Sequence, residues 1–577
     1  MRHITKNHVI MGILLILILL MNMHYLQMKS GYFVDEGMTL FLSNGNYNGA
    51  VTSRSDSSLQ DFMDEFVFKE NLPATVNNVF AMLRELTTAG NYSAEGTVAW
   101  YDAARSLLQG KRMWIDGEEL FDQLVASKGE RFRYIQVYLN QAMDVHPPLY
   151  YLLVHTVFSL FPDSYSDAYL FAVNIMALLL TCVVLWKMGR LFSDDLCLPV
   201  LAVVIFGFSQ GFVSCAMYFR MYAVFALFTA LTVYLHLLMG RREYHINRKM
   251  SWALTGSVVL GFYTHYYYVI FLFPLFVMTV IKLISKKRKS ELRFYIRSMI
   301  AAGVISLVIW PLSIYHILFG YRGTEAVSNL MADGLITGIK NYYQILRQAF
   351  FYNSSLLIFL ILLMGCAAAI IKLKDKKFNV QIIEMTAACF FYLLIVSQIA
   401  PSRADRYIMC IYPVIAFLIA MPVAEMVRLS AGYKKIYIII LTGISGMVII
   451  SSWSVISPNY LYLEKRDYKL GVEQEKSEMN CMMLSDDDWR GFPEALRLTG
   501  FRQVIVLGEG ELSVLTEEKP KDLKCDMIIY VLDELEQESI LKQSCEPLGY
   551  SYNQAESVSS DIEGFHAYLF KMEGADT

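Results

Sequence analysis

The run VIMGILLILILLMNM (9–23) constrains this chain most, because it holds no ionisable side chain and with its flanks is long enough to cross a bilayer core. A chain with one such run is anchored. A chain with many has little choice but a helical bundle in lipid, where each backbone polar group must be satisfied within its own segment. Apolar runs recur at about 167–189, 199–217, 220–239, 252–264, 267–284, 296–318, 354–373, 380–400, 406–427 and 435–455, giving about eleven spans by length. Composition agrees, with 55% of the 577 residues hydrophobic and 18% charged. The chain reads as a polytopic α-helical membrane protein, with membrane lipid as a partner and nucleic acid excluded. The first run is followed by MNMHYLQMKSGYF, which lacks the small-residue exit of a cleaved signal, so it reads as an uncleaved span.

Basic residues orient the bundle. MRHITKNH at the N-terminus is basic and reads as cytoplasmic, which sends residues 27–145 to the outer side. That long segment carries amphipathic stretches, ATVNNVFAMLRELT (74–87) and WYDAARSLLQ (100–109), which read as surface helices. HPPLYYLLVHTVFSLF (146–161) is short for a span and reads as a surface or re-entrant helix on the outer side. With that reading MGRLFSDD, GRREYHINRK, SKKRKSELR, KLKDKKFN and RLSAGYKK all fall inside; counting 146–161 as a span would flip every one of them outward. Residues 1–455 therefore form a transmembrane domain with an outer loop over 27–166, and 456–577 form an extracytoplasmic domain. In that tail QVIVLGEG, CDMIIYVLD and HAYLFKM read as buried strands and ELEQESILKQ as a helix, a small α/β domain. Three of the nine cysteines, Cys481, Cys525 and Cys545, share it, leaving room for one disulfide.

Under this topology the outer interface gathers ionisable and aromatic residues far apart in sequence. Asp35 and Glu36 follow the first span in GYFVDEGMTL, and Asp144 and His146 open DVHPPLYY. Arg220 and Tyr222 lie in MYFRMYA, His265 in YTHYYY, and Arg403, Asp405, Arg406 and Tyr407 in PSRADRY. Ionisable groups at the edge of hydrocarbon are costly and are functional candidates by default. A carboxylate suits a general base, the arginine fork suits phosphate oxygens, and aromatic rings suit sugars and the interface. Together they point to an enzyme acting on a lipid-linked phosphosugar. Each residue also has a plainer role open to it. Arginines snorkel to headgroups, Arg403 and Asp405 suit a local ion pair, and His265 among tyrosines suits an interface belt.

The order of these elements resembles the C-type integral-membrane glycosyltransferases (GT-C). A D-E pair after the first span, DVHPPLYYLL closing a long outer loop, R-x-Y in MYFRMYA and RYIMCIYP are most similar to the protein O-mannosyltransferase and aminoarabinose-transferase branch, often grouped with RgtA-like transferases. The similarity covers roughly residues 8–430, and HPPLYY is its most specific element. The resemblance implies an inverting transferase that takes a sugar, hexose or pentose, from a polyprenyl-phosphate donor in the cell envelope. Its acceptor would be a glycan, glycolipid or protein on the extracytoplasmic face of the plasma membrane. It implies Asp35 as general base with Glu36 supporting it, Asp144 and His146 shaping the pocket, and Arg220 and Arg406 near the donor phosphate. Tyr222, His265 and Tyr407 join them as substrate-binding candidates. Some branches hold a divalent metal on paired acidic motifs; no outer D-x-D pairs with Asp35, so no cofactor is expected.

Two rivals stand beside that reading. A transporter or flippase of lipid-linked glycans would place ionisable residues near the bilayer midplane, whereas Glu384 and Glu425 lie near inner ends. A non-catalytic scaffold relative would have no need of Asp35.

Overall fold

The computed structural model describes residues 6–45, 51–53, 57, 59–88, 103, 104, 106, 107, 110–240, 247–331, 334–374, 380–429, 434–454, 457–463, 476–486, 488–522 and 525–571. Of the helix expected over 100–109 only 103, 104, 106 and 107 are among these residues, and 241–246 and 375–379 of the basic loops lie outside them.

Eight helices are long and apolar enough to cross a membrane, and two bent helix pairs bring the number to ten among the described residues. They make the chain an integral membrane protein. The first is α1 (Lys6–Met28). Burial separates centre from rim: 78% of the Tyr222–Met239 span is enclosed by the bundle, against 6% of Lys435–Trp453. The central helix is the one that starts at the R-x-Y element.

Departures from the expected spans have local causes. The stretch read as 252–264 is Arg248–Phe262, whose fifteen residues fall short of a bilayer. The span read as 296–318 stops at Ile309, because Trp310 precedes Pro311 and a helix does not run easily into a proline; a short helix resumes at Ser313–Leu318. The 199–217 span breaks into Cys197–Gly207 and Gln210–Met217, 53° apart, where the Ser209 hydroxyl caps the second piece by accepting from the Phe212 N–H. Leu335–Phe351, in a stretch with no assigned span, is a helix meeting Ser355–Ile371 at 86° through the left-handed residues Tyr352 and Asn353. The helix opened by the two prolines is Leu149–Leu160, twelve residues long, with Tyr150, Tyr151, Val154, His155 and Phe158 buried.

The C-terminal region supplies five strands of a six-stranded sheet in the order β1-β3-β2-β4-β6-β5. Its strands are β1 (Ile115–Asp116), β2 (Asn480–Ser485), β3 (Gln503–Gly508), β4 (Met527–Leu532), β5 (Glu556–Val558) and β6 (Phe565–Phe570). β2 pairs in parallel with β3 and β4, and the rest pair antiparallel. All six residues of β2 and of β4 are buried, as strands covered on both faces are. β1 comes from the segment between α1 and the 167–192 helix, so the long loop and the tail share one sheet. None of the nine cysteines is in a disulfide.

Candidate functional site

The site is assembled around α2 (Val34–Asn44), an eleven-residue helix that begins a few residues beyond α1. Its start is fixed by Glu36, whose carboxylate accepts the Phe33 N–H at 2.7 Å, the side-chain half of a capping box. The same carboxylate accepts the Phe219 N–H at 2.9 Å and pairs with Lys29 at 3.0 Å, with both ionic side chains wholly buried. Lys29 also donates to the Tyr460 carbonyl at 2.8 Å and lies over the Phe219 ring. Glu36 thus ties the exit of α1, the R-x-Y turn and the segment after the last span to one point. It does not line the cavity described below.

Asp35 faces the other way chemically. Its Oδ2 accepts the Tyr218 hydroxyl at 2.7 Å and stands 3.8 Å from the Arg406 guanidinium. Burial alone would raise the Asp35 carboxyl; Arg220, Arg406 and the Tyr218 hydroxyl outweigh it and hold the group below the usual carboxylate range. Oδ1 carries no hydrogen bond among the described residues, and the side chain keeps about a quarter of its surface open.

Arg220 is buried behind this carboxylate. One nitrogen donates to the Asp35 carbonyl at 3.1 Å and to the Thr39 hydroxyl at 3.2 Å, and another stands 3.5 Å from His146 Nε2. His146 Nδ1 meets Asp144 Oδ2 at 2.8 Å. These partners define the tautomer: Nδ1–H donates to Asp144, and the Nε2 lone pair faces Arg220. Burial lowers His146 beyond what Asp144 restores, which favours the neutral ring. Although burial opposes it, the contact with His146 and the nearby Arg220 hold Asp144 below the usual carboxylate range. Asp144, His146 and Arg220 thus form a chain that ends on the backbone of Asp35.

A cavity of about 340 Å³ opens here. Asp35, His146, Tyr222, His265, Arg406 and Tyr407 line it, while Glu36, Asp144 and Arg220 stand behind its wall. His265 stacks on Phe225 at 5.4 Å, and its Nδ1 accepts the Tyr267 N–H at 3.1 Å, which places its own proton on Nε2. Burial, with His146 and Arg220 nearby, pushes His265 well below its ordinary value. The lining also carries apolar side chains, Val269, Ile270, Ile317, Ala326 and Ile399. Tyr460 stacks on Tyr218 at 4.1 Å and Tyr218 on Tyr222 at 5.6 Å, a ring pile against the acidic side.

Reading the sequence did not single out Arg322, His316, Tyr218 or Lys29. Arg322 lines the cavity and pairs with Glu325 at 2.8 Å. Its signal was a charge beside Tyr321 just past Pro311, in a stretch with no assigned span. The expected ion pair of Arg403 with Asp405 does not form. Arg403 donates to the Gly334 carbonyl at 3.2 Å, and Asp405 accepts from Asn459 at 2.7 Å and from the Tyr460 hydroxyl. Asp405 serves the C-terminal linker because its carboxylate is turned toward that segment. Among the described residues no three His, Cys, Asp or Glu side chains group as a metal site.

Fold and site together define a polytopic membrane protein with a carboxylate-bearing cavity at one end of its bundle. Among solved structures it is similar to ArnT from Cupriavidus metallidurans bound to undecaprenyl phosphate, at a TM-score of 0.47 and 11% identity over 73% of this chain and 87% of that one. It is similar also to ArnT of the same organism in the apo state, at a TM-score of 0.42 and 9% identity over 86% and 98% of the two chains. No family model matches the chain, and no curated protein does.

Proposed function

We propose that the chain is a GT-C-type glycosyltransferase that moves a sugar from a polyprenyl-phosphate donor to an acceptor hydroxyl on the extracytoplasmic face, with inversion. One observation carries this reading: the lining of one cavity divides between polar groups, Asp35 with an unbonded carboxylate oxygen and Arg406 beside it, and aliphatic side chains. An amphiphile with a phosphate between sugar and hydrocarbon matches that division. The reading keeps residues 1–455 as the transmembrane domain, 456–577 as the extracytoplasmic one and the N-terminus in the cytoplasm.

In this mechanism Asp35 Oδ1 holds the acceptor hydroxyl. The acceptor oxygen forms a bond to the anomeric carbon from the face opposite the phosphate. The anomeric C–O bond breaks, its electron pair leaves with polyprenyl phosphate, and the proton passes to Asp35. A carboxylate held below its usual range is a weak base, so it orients the nucleophile and takes the proton late, as positive charge builds on the oxygen. The phosphate leaves without a proton because Arg406 and Arg322 offset its charge. Arg322 takes the place expected of Arg220, which positions Asp35 through its carbonyl. Glu36 holds the helix start instead of acting on substrate.

The test is to supply the purified protein in lipid nanodiscs with a panel of polyprenyl-phosphate sugars and to measure release of polyprenyl phosphate. Turnover of one donor that Asp35→Asn abolishes supports the assignment. Binding or movement of a donor across the bilayer with no cleavage would replace it with a transporter.

A further inference from the structure

A second cavity, about 390 Å³, lies beside the first and shares Pro401 with it. Its lining differs in kind. Asn329, Asn341 and Gln398 contribute carboxamides, Ser402 a hydroxyl and Arg403 a guanidinium. No carboxylate lines it among the described residues. Two short segments build it and are tied together: the Gln398 amide donates to the Asn329 carbonyl at 2.7 Å, and Arg403 to the Gly334 carbonyl at 3.2 Å. Ser402 also accepts from Arg406 at 3.3 Å, so one hydroxyl touches the guanidinium of the first cavity and lines the second.

We propose that this cavity is the acceptor subsite and that it takes the neutral, polyhydroxylated part of a saccharide acceptor. The inference rests on the glycosyltransferase reading above. A carboxamide presents two donors and an acceptor oxygen side by side, matching hydroxyls that both give and accept hydrogen bonds. Asn341 and Ser402 are exposed, so the cavity is reached from water. Only Ala400 and Pro401 add apolar surface beyond backbone, which gives an alkyl chain nothing to lie against. The donor belongs in the other cavity, which the aliphatic side chains and Asp35 line. A saccharide seated among the carboxamides reaches past Pro401 toward Asp35 Oδ1 with its terminal hydroxyl. The acceptor class is therefore a glycan or the glycan part of a glycoconjugate, not an isolated serine or threonine side chain.

The experiment uses the full chain in nanodiscs with whichever polyprenyl-phosphate sugar it turns over. Acceptor arms are neutral oligosaccharides of two to four sugars, a serine-containing peptide and butanol. At least one saccharide is expected to be glycosylated with kcat/KM ten or more times that for butanol and for the peptide. Asn341→Ala is expected to raise the KM for that saccharide about three- to tenfold, the loss of one hydrogen bond, and to lower the ratio of transfer to donor hydrolysis. Asn341→Gln, which keeps the amide, restores part of it. Saccharides no better than butanol, or a transfer-to-hydrolysis ratio unmoved by Asn341→Ala, would overturn the subsite. Absence of any donor turnover in the unaltered chain would instead strike the glycosyltransferase reading.

Discussion

Asp35 and Glu36 are neighbours in one turn of α2, yet the surroundings of the two differ in every respect that decides a carboxylate's work. Glu36 has a lysine and two backbone N–H groups within 3.0 Å and no contact with solvent. Asp35 has one tyrosine hydroxyl, a looser arginine at 3.8 Å, an oxygen with no hydrogen bond among the described residues, and a place in the cavity lining. Saturated bonding fixes structure, while a spare oxygen held by its neighbours leaves something for chemistry. The comparison also separates the arginines, since Arg220 is held by the Asp35 carbonyl, Thr39 and His146 while Arg406 lines the cavity.

The largest effect expected is at Asp35. Asp35→Asn keeps the shape and removes the proton acceptor, so donor turnover falls by about 100- to 10,000-fold, the usual worth of a general base. Thermal unfolding stays near that of the unaltered protein. Equal losses of rate and stability would erase the distinction between the two carboxylates.

Lys29→Met tests the other side. It removes the ammonium that lies over the Tyr32 and Phe219 rings and leaves the buried Glu36 charge without it, which costs about 3–5 kcal/mol where buried pairs have been broken this way. The thermal midpoint in detergent drops steeply, and activity falls only in step with the folded fraction. A normal midpoint with lost turnover would move Glu36 into the chemistry.

Glu36 also shows how much of the molecule the sequence made legible. Long apolar runs identify themselves, because lipid allows a span few alternatives. Nine candidate residues were singled out at expected interface positions, and six of them line one cavity. Which residues face that cavity and which stand behind it was not readable. A D-E pair looks the same whichever carboxylate meets Lys29, and that contact depends on how the chain turns after α1. β1 was hidden for a related reason: two residues, Ile115 and Asp116, carry no period, and only the partner strand β3 makes them a strand. β2, with the sequence NCMMLS, lacks β-branched residues and lies in a sheet by being buried on both faces.

Gly37 extends the comparison to the tail. A Cβ at this position would lie 2.0 Å from the Phe492 carbonyl oxygen, so the turn at 488–494 packs directly on α2 one residue after Glu36. Phe41, one helical turn on, meets Phe492 edge to face at 5.3 Å. Gly37→Ala forces these backbones apart, with an overpacking cost of about 1–3 kcal/mol. Limited proteolysis then cuts more readily between the last span and the sheet, and turnover falls several-fold because α2 carries Asp35. Unchanged proteolysis would separate the tail from the site.

The smallest effect separates orientation from charge. Tyr218→Phe keeps the ring stacked between Tyr460 and Tyr222 and removes only the hydroxyl bonded to Asp35. That bond helps hold Asp35 below its usual value, so its loss raises the folded-state pKa. A depressed carboxylate contributes stability and activity above its unfolded value of about 3.9, and both fade as pH falls through the lower folded value. In the variant the acid limb of turnover moves to higher pH, toward the ordinary carboxylate range. At neutral pH, where Asp35 is ionised in both proteins, the rate falls only about two- to tenfold, in keeping with one lost hydrogen bond. A tyrosine that served packing alone would leave the acid limb where it was, since phenylalanine stacks as well. Movement of the limb with little change in stability therefore marks Tyr218 as the residue that positions Asp35, and it ties the linker bearing Tyr460 to the cavity through the same ring pile.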